Sequence, residues 1–251
     1  MVLTIDSVTH GNSDTTVCNI MTWNGNNIDS SGAYIDTFIN ANNCDSIHTL
    51  NVTVNYTPTA YAGIDSVICS DQNYVVYGDS TNADSIIWTT NGDGYFNYPG
   101  QEITTYNPGN NDINNGQVTL IFTAFGSYPC GNAIDSMVLN ITQAPTAYAG
   151  IDSVICSDEN YVVYGDSTNA DSVIWTTNGD GNFDIPNSNN PIYTPGNNDI
   201  NNGQVTLIFT AFGSYPCGNA IDSMVLTIDS VTHGNSDTTC LLYTSPSPRD
   251  S

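Results

Sequence analysis

The chain has no lysine and a single arginine, Arg249, against 25 aspartates and glutamates, which leaves a formal charge of −24 over 251 residues. Such a chain cannot neutralise phosphates, so nucleic-acid binding is excluded as a function class. Polybasic attachment to an anionic membrane surface is excluded for the same reason. No apolar run approaches the roughly 20 residues of a spanning helix, so membrane insertion is not expected. Histidine is scarce, at positions 10, 48 and 233, and none of the three lies near a Gly-x-Ser-x-Gly or nucleophilic-cysteine signature. Helical periodicity is lacking throughout. What is present argues against disorder: 39% hydrophobic residues, with 15 Tyr, 7 Phe and 3 Trp, can build cores.

Internal repetition organises the rest. Residues 58–141 align without a gap onto 145–228, with 13 differences over the 84 positions. Residues 1–16 recur letter for letter as 224–239. In the later copy Met224 lies inside a strand-like run, so Met1 is read as an internal residue rather than a biological start. The chain therefore divides into a remnant strand (1–5), a short unit (6–57), a first long repeat (58–142), a second long repeat (143–228) and the opening of another short unit (229–239). Residues 240–251 resemble the conceptual translation of a transposase sequencing adapter and are expected to lie outside the fold.

Short alternating runs separated by Asn, Gly, Asp and Pro predict an all-β sandwich architecture. Val118, Leu120, Phe122 and Ala124 share one face, as do Met137, Leu139 and Ile141. Ile86, Trp88 and Thr90 form a third run, and residues 74–77 a fourth. Asn91-Gly92-Asp93-Gly94 carries turn chemistry. In the short unit, strands are expected at 34–39 and 47–54, around a turn at 40–43. So small a unit needs a staple. With Cys240 set aside, the cysteines fall two per unit, which predicts disulfides 18–44, 69–130 and 156–217 (Cys18, Cys44, Cys69, Cys130, Cys156, Cys217) in an oxidising compartment. Zinc is disfavoured by the absence of CxxC spacing.

No catalytic constellation assembles, because the two glutamates fail the repeat test: Glu102 aligns with Asn189, and Glu159 with Gln72. Calcium is the better chemical candidate. Carboxylates without basic partners must be hydrated, used in turns or bound to cations. Asp93 and Asp112, repeated as Asp180 and Asp199, sit among alternating oxygen-bearing residues that suit a hard cation. The EF-hand register is not met, however, since Gly116 comes one place late and Ile121 stands where a bidentate Glu belongs. Asx turns are the competing account. Ten of the 13 differences between the long repeats fall in 95–107 against 182–194. Tyr95, Tyr98 and Glu102 there are candidate binding residues of a surface loop, with drift in a tolerant loop as the alternative.

The long repeat, with Ala-Gly-Ile-Asp-Ser-Val-Ile-Cys (62–69), Trp88-Thr-Thr-Asn-Gly-Asp-Gly94, Tyr106-Asn-Pro108, 116–123 and 135–141, resembles the PKD-like, Ig-like repeats of large type IX-secreted surface proteins of gliding Gram-negative bacteria. The short unit, with Thr22-Trp-Asn-Gly25, Ser31-Gly-Ala-Tyr34 and Cys44-Asp-Ser-Ile47, is similar to a second repeat of the same proteins. Asp-Ser followed by Val, Ile or Met, which occurs nine times, resembles an O-glycosylation site there; strand entry is the other reading. The resemblance implies a non-catalytic, adhesive stalk segment at the outer cell surface. Its partners would be neighbouring repeats of the same chain, and surface glycans or other cell-surface proteins. A carbohydrate-binding or spacer module of a secreted enzyme is the alternative. The loop position of Cys130 departs from the inter-sheet pin of antibody domains and leaves the strand order open.

Overall fold

A computed structural model describes residues 8–39 and 44–230. The remnant strand at 1–5, most of the second short-unit opening, and the 240–251 tail lie outside these residues. The first part of the chain runs β1 (Thr9–Cys18), β2 (Met21–Trp23), β3 (Asn26–Ile28), β4 (Gly32–Ile39) and β5 (Asp45–Asn55). It forms a sheet of order β1-β5-β4 and a separate β2–β3 hairpin. Leu50, Val52 and Val54 alternate along β5 and bury one face with Ile28, against which Trp23 and Tyr34 pack.

The first long repeat follows as β6 (Thr59–Tyr61), β7 (Ser66–Cys69), β8 (Tyr74–Tyr77), β9 (Asp79–Thr81), β10 (Ala83–Thr90), β11 (Tyr95–Phe96), β12 (Ile103–Asn107), α1 (Asn110–Asn115), β13 (Gln117–Gly126) and β14 (Ala133–Thr142). The second repeats this as β15 (Thr146–Tyr148), β16 (Ser153–Cys156), β17 (Tyr161–Val162), β18 (Asp166–Thr168), β19 (Ala170–Thr177), β20 (Asn182–Phe183), β21 (Ile192–Thr194), α2 (Asn197–Asn202), β22 (Gln204–Gly213) and β23 (Ala220–Asp229). Each copy carries a four-stranded sheet (β10-β13-β14-β7; β16-β23-β22-β19), a three-stranded sheet (β11-β12-β8; β17-β21-β20) and a two-stranded ribbon (β6-β9; β15-β18). These are Ig-like β-sandwiches. By Cα proximity the described residues group into two compact units, those within 1–66 with 72–140, and those within 67–71 with 141–251.

Period-two patterning accounts for the cores. Val118, Leu120, Phe122 and Ala124 are buried along β13, and Met137, Leu139 and Ile141 along β14, with the intervening residues turned outward. Trp88 lies against Phe96 and Phe122, at ring-centroid distances of 5.6 and 4.8 Å. The second copy repeats this with Trp175, Phe183 and Phe209.

Two elements differ from the sequence-based expectation. β1 is a ten-residue strand parallel to β5, although its sequence is almost wholly polar. Residues 110–115 and 197–202 are short α-helices rather than loops. Each helix ends on a glycine in the left-handed region, Gly116 at φ 73° and Gly203 at φ 71°, where a Cβ would be strained.

The Asp-Ser motifs have a clear backbone role. Asp135 accepts the Ala62 N–H at 2.8 Å, and Asp65 accepts the Val138 N–H at 2.8 Å, so the two carboxylates tie the chain around 62–65 to β14 reciprocally. Asp222 and Asp152 repeat the arrangement on Ala149 and Val225. With no ammonium or guanidinium at hand, backbone N–H groups serve as the partners of these carboxylates.

Candidate functional site

The turn before β11 and the helix α1 bring Asp93 and Asp112 together. Asp112 is 2% exposed, and its carboxylate accepts from Gly94 N–H, Asp93 N–H and Gly109 N–H at 3.0–3.2 Å, and from the Tyr106 hydroxyl at 2.6 Å. Asp93 in turn accepts the Asn111 and Asp112 N–H groups, satisfying orphan donors of the first helical turn. Asp180 and Asp199 do the same in the second copy. Glycine is required beside the carboxylate: a Cβ on Gly92 would lie 1.8 Å from Asp112 Oδ1.

Electrostatics follow from this packing. Burial, then the hydrogen bond to Asp199, pushes the Tyr193 phenol up to about 12, and the same causes raise Tyr106 beyond the ordinary phenol range. Burial of Asp199 works against its charge. The hydrogen bonds from Tyr193, Gly196, Asp180 and Gly181 outweigh that cost and hold its carboxyl below the usual value.

This geometry corrects the oxygen-ligand pattern read from the sequence. Asn110, Asp112 and Asn114 lie on a helix, where residues two apart diverge by about 200° and cannot converge on one ion. The four aspartates named as calcium candidates serve as hydrogen-bond acceptors for turn and helix backbone. Among the described residues, no group of three or more His, Cys, Asp or Glu side chains is placed to hold a metal.

The variable segment is not the surface loop expected from the sequence, since it carries β11 and β12; Tyr95 on β11 and Tyr98 between the two strands stand 63% and 66% exposed. Glu102 accepts the Ser80 hydroxyl through its side chain, while its backbone carbonyl accepts both Gly78 N–H and the Trp88 indole. Asn189 supplies the same carbonyl to Gly165 and Trp175. The loop's anchor is thus a backbone group that survives the change of side chain. Thr104 Oγ1 accepts Tyr98 N–H in the first copy; in the second, Asp184 instead accepts Ile185 N–H and Ile192 N–H.

Elsewhere, Ser13 Oγ lies 2.8 Å from His48 Nε2 on the β1–β5 sheet. Trp23 and Phe38 flank the same imidazole, each at 6.3 Å between ring centroids.

The cysteines correct the expected pairing. Cys18 is bonded to Cys130 and Cys69 to Cys217, across sequence separations of 112 and 148. Bonds 18–44, 69–130 and 156–217 are therefore not formed; Cys156 is disulfide-bonded as well. Counting two cysteines per unit could not distinguish bonds within units from bonds between successive ones. The expectation of a free Cys240 lies outside the described residues.

No protein-family model matches the chain, and no curated protein matches it. Among solved structures it is similar to an I-band fragment of titin, I67–I69, at 14% identity and TM-score 0.44, covering 84% of this chain and 82% of that one. It is also similar to Sidekick-1 immunoglobulin domains 1–4, at 12% identity and TM-score 0.39, covering 90% and 75%. A third is Drosophila N-cadherin EC1–3, at 13% identity and TM-score 0.30, covering 76% and 75%. At these values the likeness carries nothing about activity, ligand or partner.

Proposed function

We propose that the chain is a non-catalytic stalk segment of a secreted or outer-surface adhesive protein, built from tandem Ig-like units with the boundaries read from the sequence. Type IX export by a gliding Gram-negative bacterium belongs to this proposal through the family resemblance. The observation that carries the reading is the pair of disulfides 18–130 and 69–217, each joining a strand end of one sequence unit to a loop of the next. Bonds of this kind suit a repeat array that resists pulling, since each unit contacts mainly its neighbours. They also favour an oxidising, extracellular setting.

Small-angle scattering tests the stalk directly. The maximum dimension should grow by one repeat length when a further long repeat is added; growth in girth alone would overturn the proposal. The competing glycan- or protein-binding module draws support from the exposed Tyr95 and Tyr98. A glycan array probed with the Tyr95→Ala/Tyr98→Ala variant beside the parent chain separates the two readings, because only a binding module loses signal.

A further inference from the structure

The two described disulfides follow one rule: the cysteine that ends a strand lying beside a unit's last strand bonds a cysteine in a loop between the last two strands of the following unit. Cys18 ends β1, opposite Asn55 at the end of β5. Its partner Cys130 lies between β13 and β14. Cys69 ends β7, and its partner Cys217 lies between β22 and β23. The residue after each strand-end cysteine donates its N–H to the carbonyl closing the neighbouring strand: Asn19 to Asn55 at 2.7 Å and Ser70 to Thr142 at 2.8 Å. Ser157 does the same to Asp229 at 2.9 Å, which makes Cys156 the third cysteine of this kind. Asn55 and Thr142 also donate side-chain hydrogen bonds to the incoming loops, on the carbonyls of Tyr128 and Tyr215, at 2.6 and 3.4 Å.

Cys44 occupies the loop position of this scheme within the short unit. It immediately precedes β5, and β4 and β5 pair antiparallel as β13 and β14 do. The parallel β1 lies on the other side of β5, as β16 lies beside β23. We propose that Cys44 receives the strand-end cysteine of a preceding long repeat, the kind represented by Cys156, so that the short unit is stapled on both sides. The sequence favours that neighbour: residues 1–5 reproduce 224–228 of the long repeat, and 229–239 reopen a short unit directly after it. The bond forms from two thiols, which give up two protons and two electrons. A small-molecule disulfide such as oxidised glutathione accepts them and leaves as two thiols.

This inference rests on the tandem-repeat reading and specifies its covalent partner. Joining residues 143–223 ahead of Met1 gives the full chain a preceding long repeat in its natural register. After oxidative refolding with glutathione, non-reducing peptide mapping should recover the added copy of Cys156 bonded to Cys44, together with the 18–130 and 69–217 bonds. Cys44→Ser should leave those two bonds intact and render the added strand-end cysteine alkylatable. Recovery of alkylated Cys44, or of the added cysteine in any other bond, overturns the proposal. Absence of the 18–130 bond overturns the rule beneath it. The stalk reading fails on a different measurement, the scattering dimension, so the two failures are distinguishable.

Discussion

Tyr193 donates its phenolic hydrogen to the carboxylate of Asp199 across 2.6 Å, with both residues buried. The pair shows how a protein almost free of basic side chains places negative charge inside. Three backbone N–H groups and one hydroxyl take the place that an arginine would fill elsewhere.

The pair predicts loss of stability at both ends of the pH scale. Asp199 has a lowered folded-state pKa, so its contribution is present above the ordinary carboxyl range and is lost as pH falls through that range toward the folded value. Tyr193 is raised from 10.0 to about 12, so its contribution is complete below pH 10 and disappears as pH rises from 10 to about 12. Calorimetry across pH should show a steeper alkaline decline for the parent chain than for Tyr193→Phe. Parallel declines would refute the assignment.

Removing the acceptor altogether is expected to be severe. Asp112→Ala strands the donors of Gly94, Asp93, Gly109 and Tyr106 and should cost at least about 3 kcal/mol in urea denaturation. Asp112→Asn keeps one oxygen acceptor and should cost less. Equal losses for the two variants would show that the site is held by packing rather than by these hydrogen bonds.

The acidic sites should not respond to calcium. Their carboxylates are already engaged by backbone donors, so millimolar calcium at fixed ionic strength should leave the melting temperature where magnesium or sodium leaves it. A calcium-specific rise, reversed by chelator, would restore the cation reading by linkage.

Much of this architecture was legible in the residues. The Val118–Ala124 and Met137–Ile141 alternations announce strands because a sandwich has one dry face per sheet. β1 was not legible: Thr-His-Gly-Asn-Ser-Asp-Thr-Thr carries no apolar period. It is held instead by its ladder to β5 and by contacts such as Asn51 Nδ2 on Asn12 and Asp14. The helices at 110 and 197 are too short to display a period. Their Asn-Asn-Asp-Ile-Asn-Asn sequence reads equally well as a turn, and only the packing of Asp112 beneath Tyr106 separates the two. The disulfide partners were hidden for a topological reason, since a strand-end cysteine and a loop cysteine in successive units are remote in sequence.

The disulfide connectivity has an energetic signature. Cys69→Ser and Cys217→Ser should each destabilise the second compact unit by about 2–5 kcal/mol, and the double variant by no more than either alone. Additive losses would mean that the two sulfurs act independently.

The final prediction concerns the segment in which the long repeats differ. β12 runs Ile103–Asn107 and pairs with four residues of β8, whereas β21 runs only Ile192–Thr194 and pairs with two residues of β17. The cause is Pro191, which stands where the first copy has Thr104 and offers neither an N–H to the ladder nor a hydroxyl to the loop. Asp184 compensates by accepting Ile185 N–H and Ile192 N–H, so side chain and proline belong together. Thr104→Pro alone removes the acceptor of Tyr98 N–H and should cost about 1–3 kcal/mol. Grafting 182–194 whole onto 95–107 carries the compensation with it and should stay within about 0.5 kcal/mol of the parent, because the Trp88 N–H and indole bonds go to backbone carbonyls that both loops present. Chemical denaturation of the two variants decides the matter: a costly graft would mean that each loop is fitted to the rest of its own repeat, and a harmless Thr104→Pro would mean that the hydroxyl and the ladder bond contribute nothing.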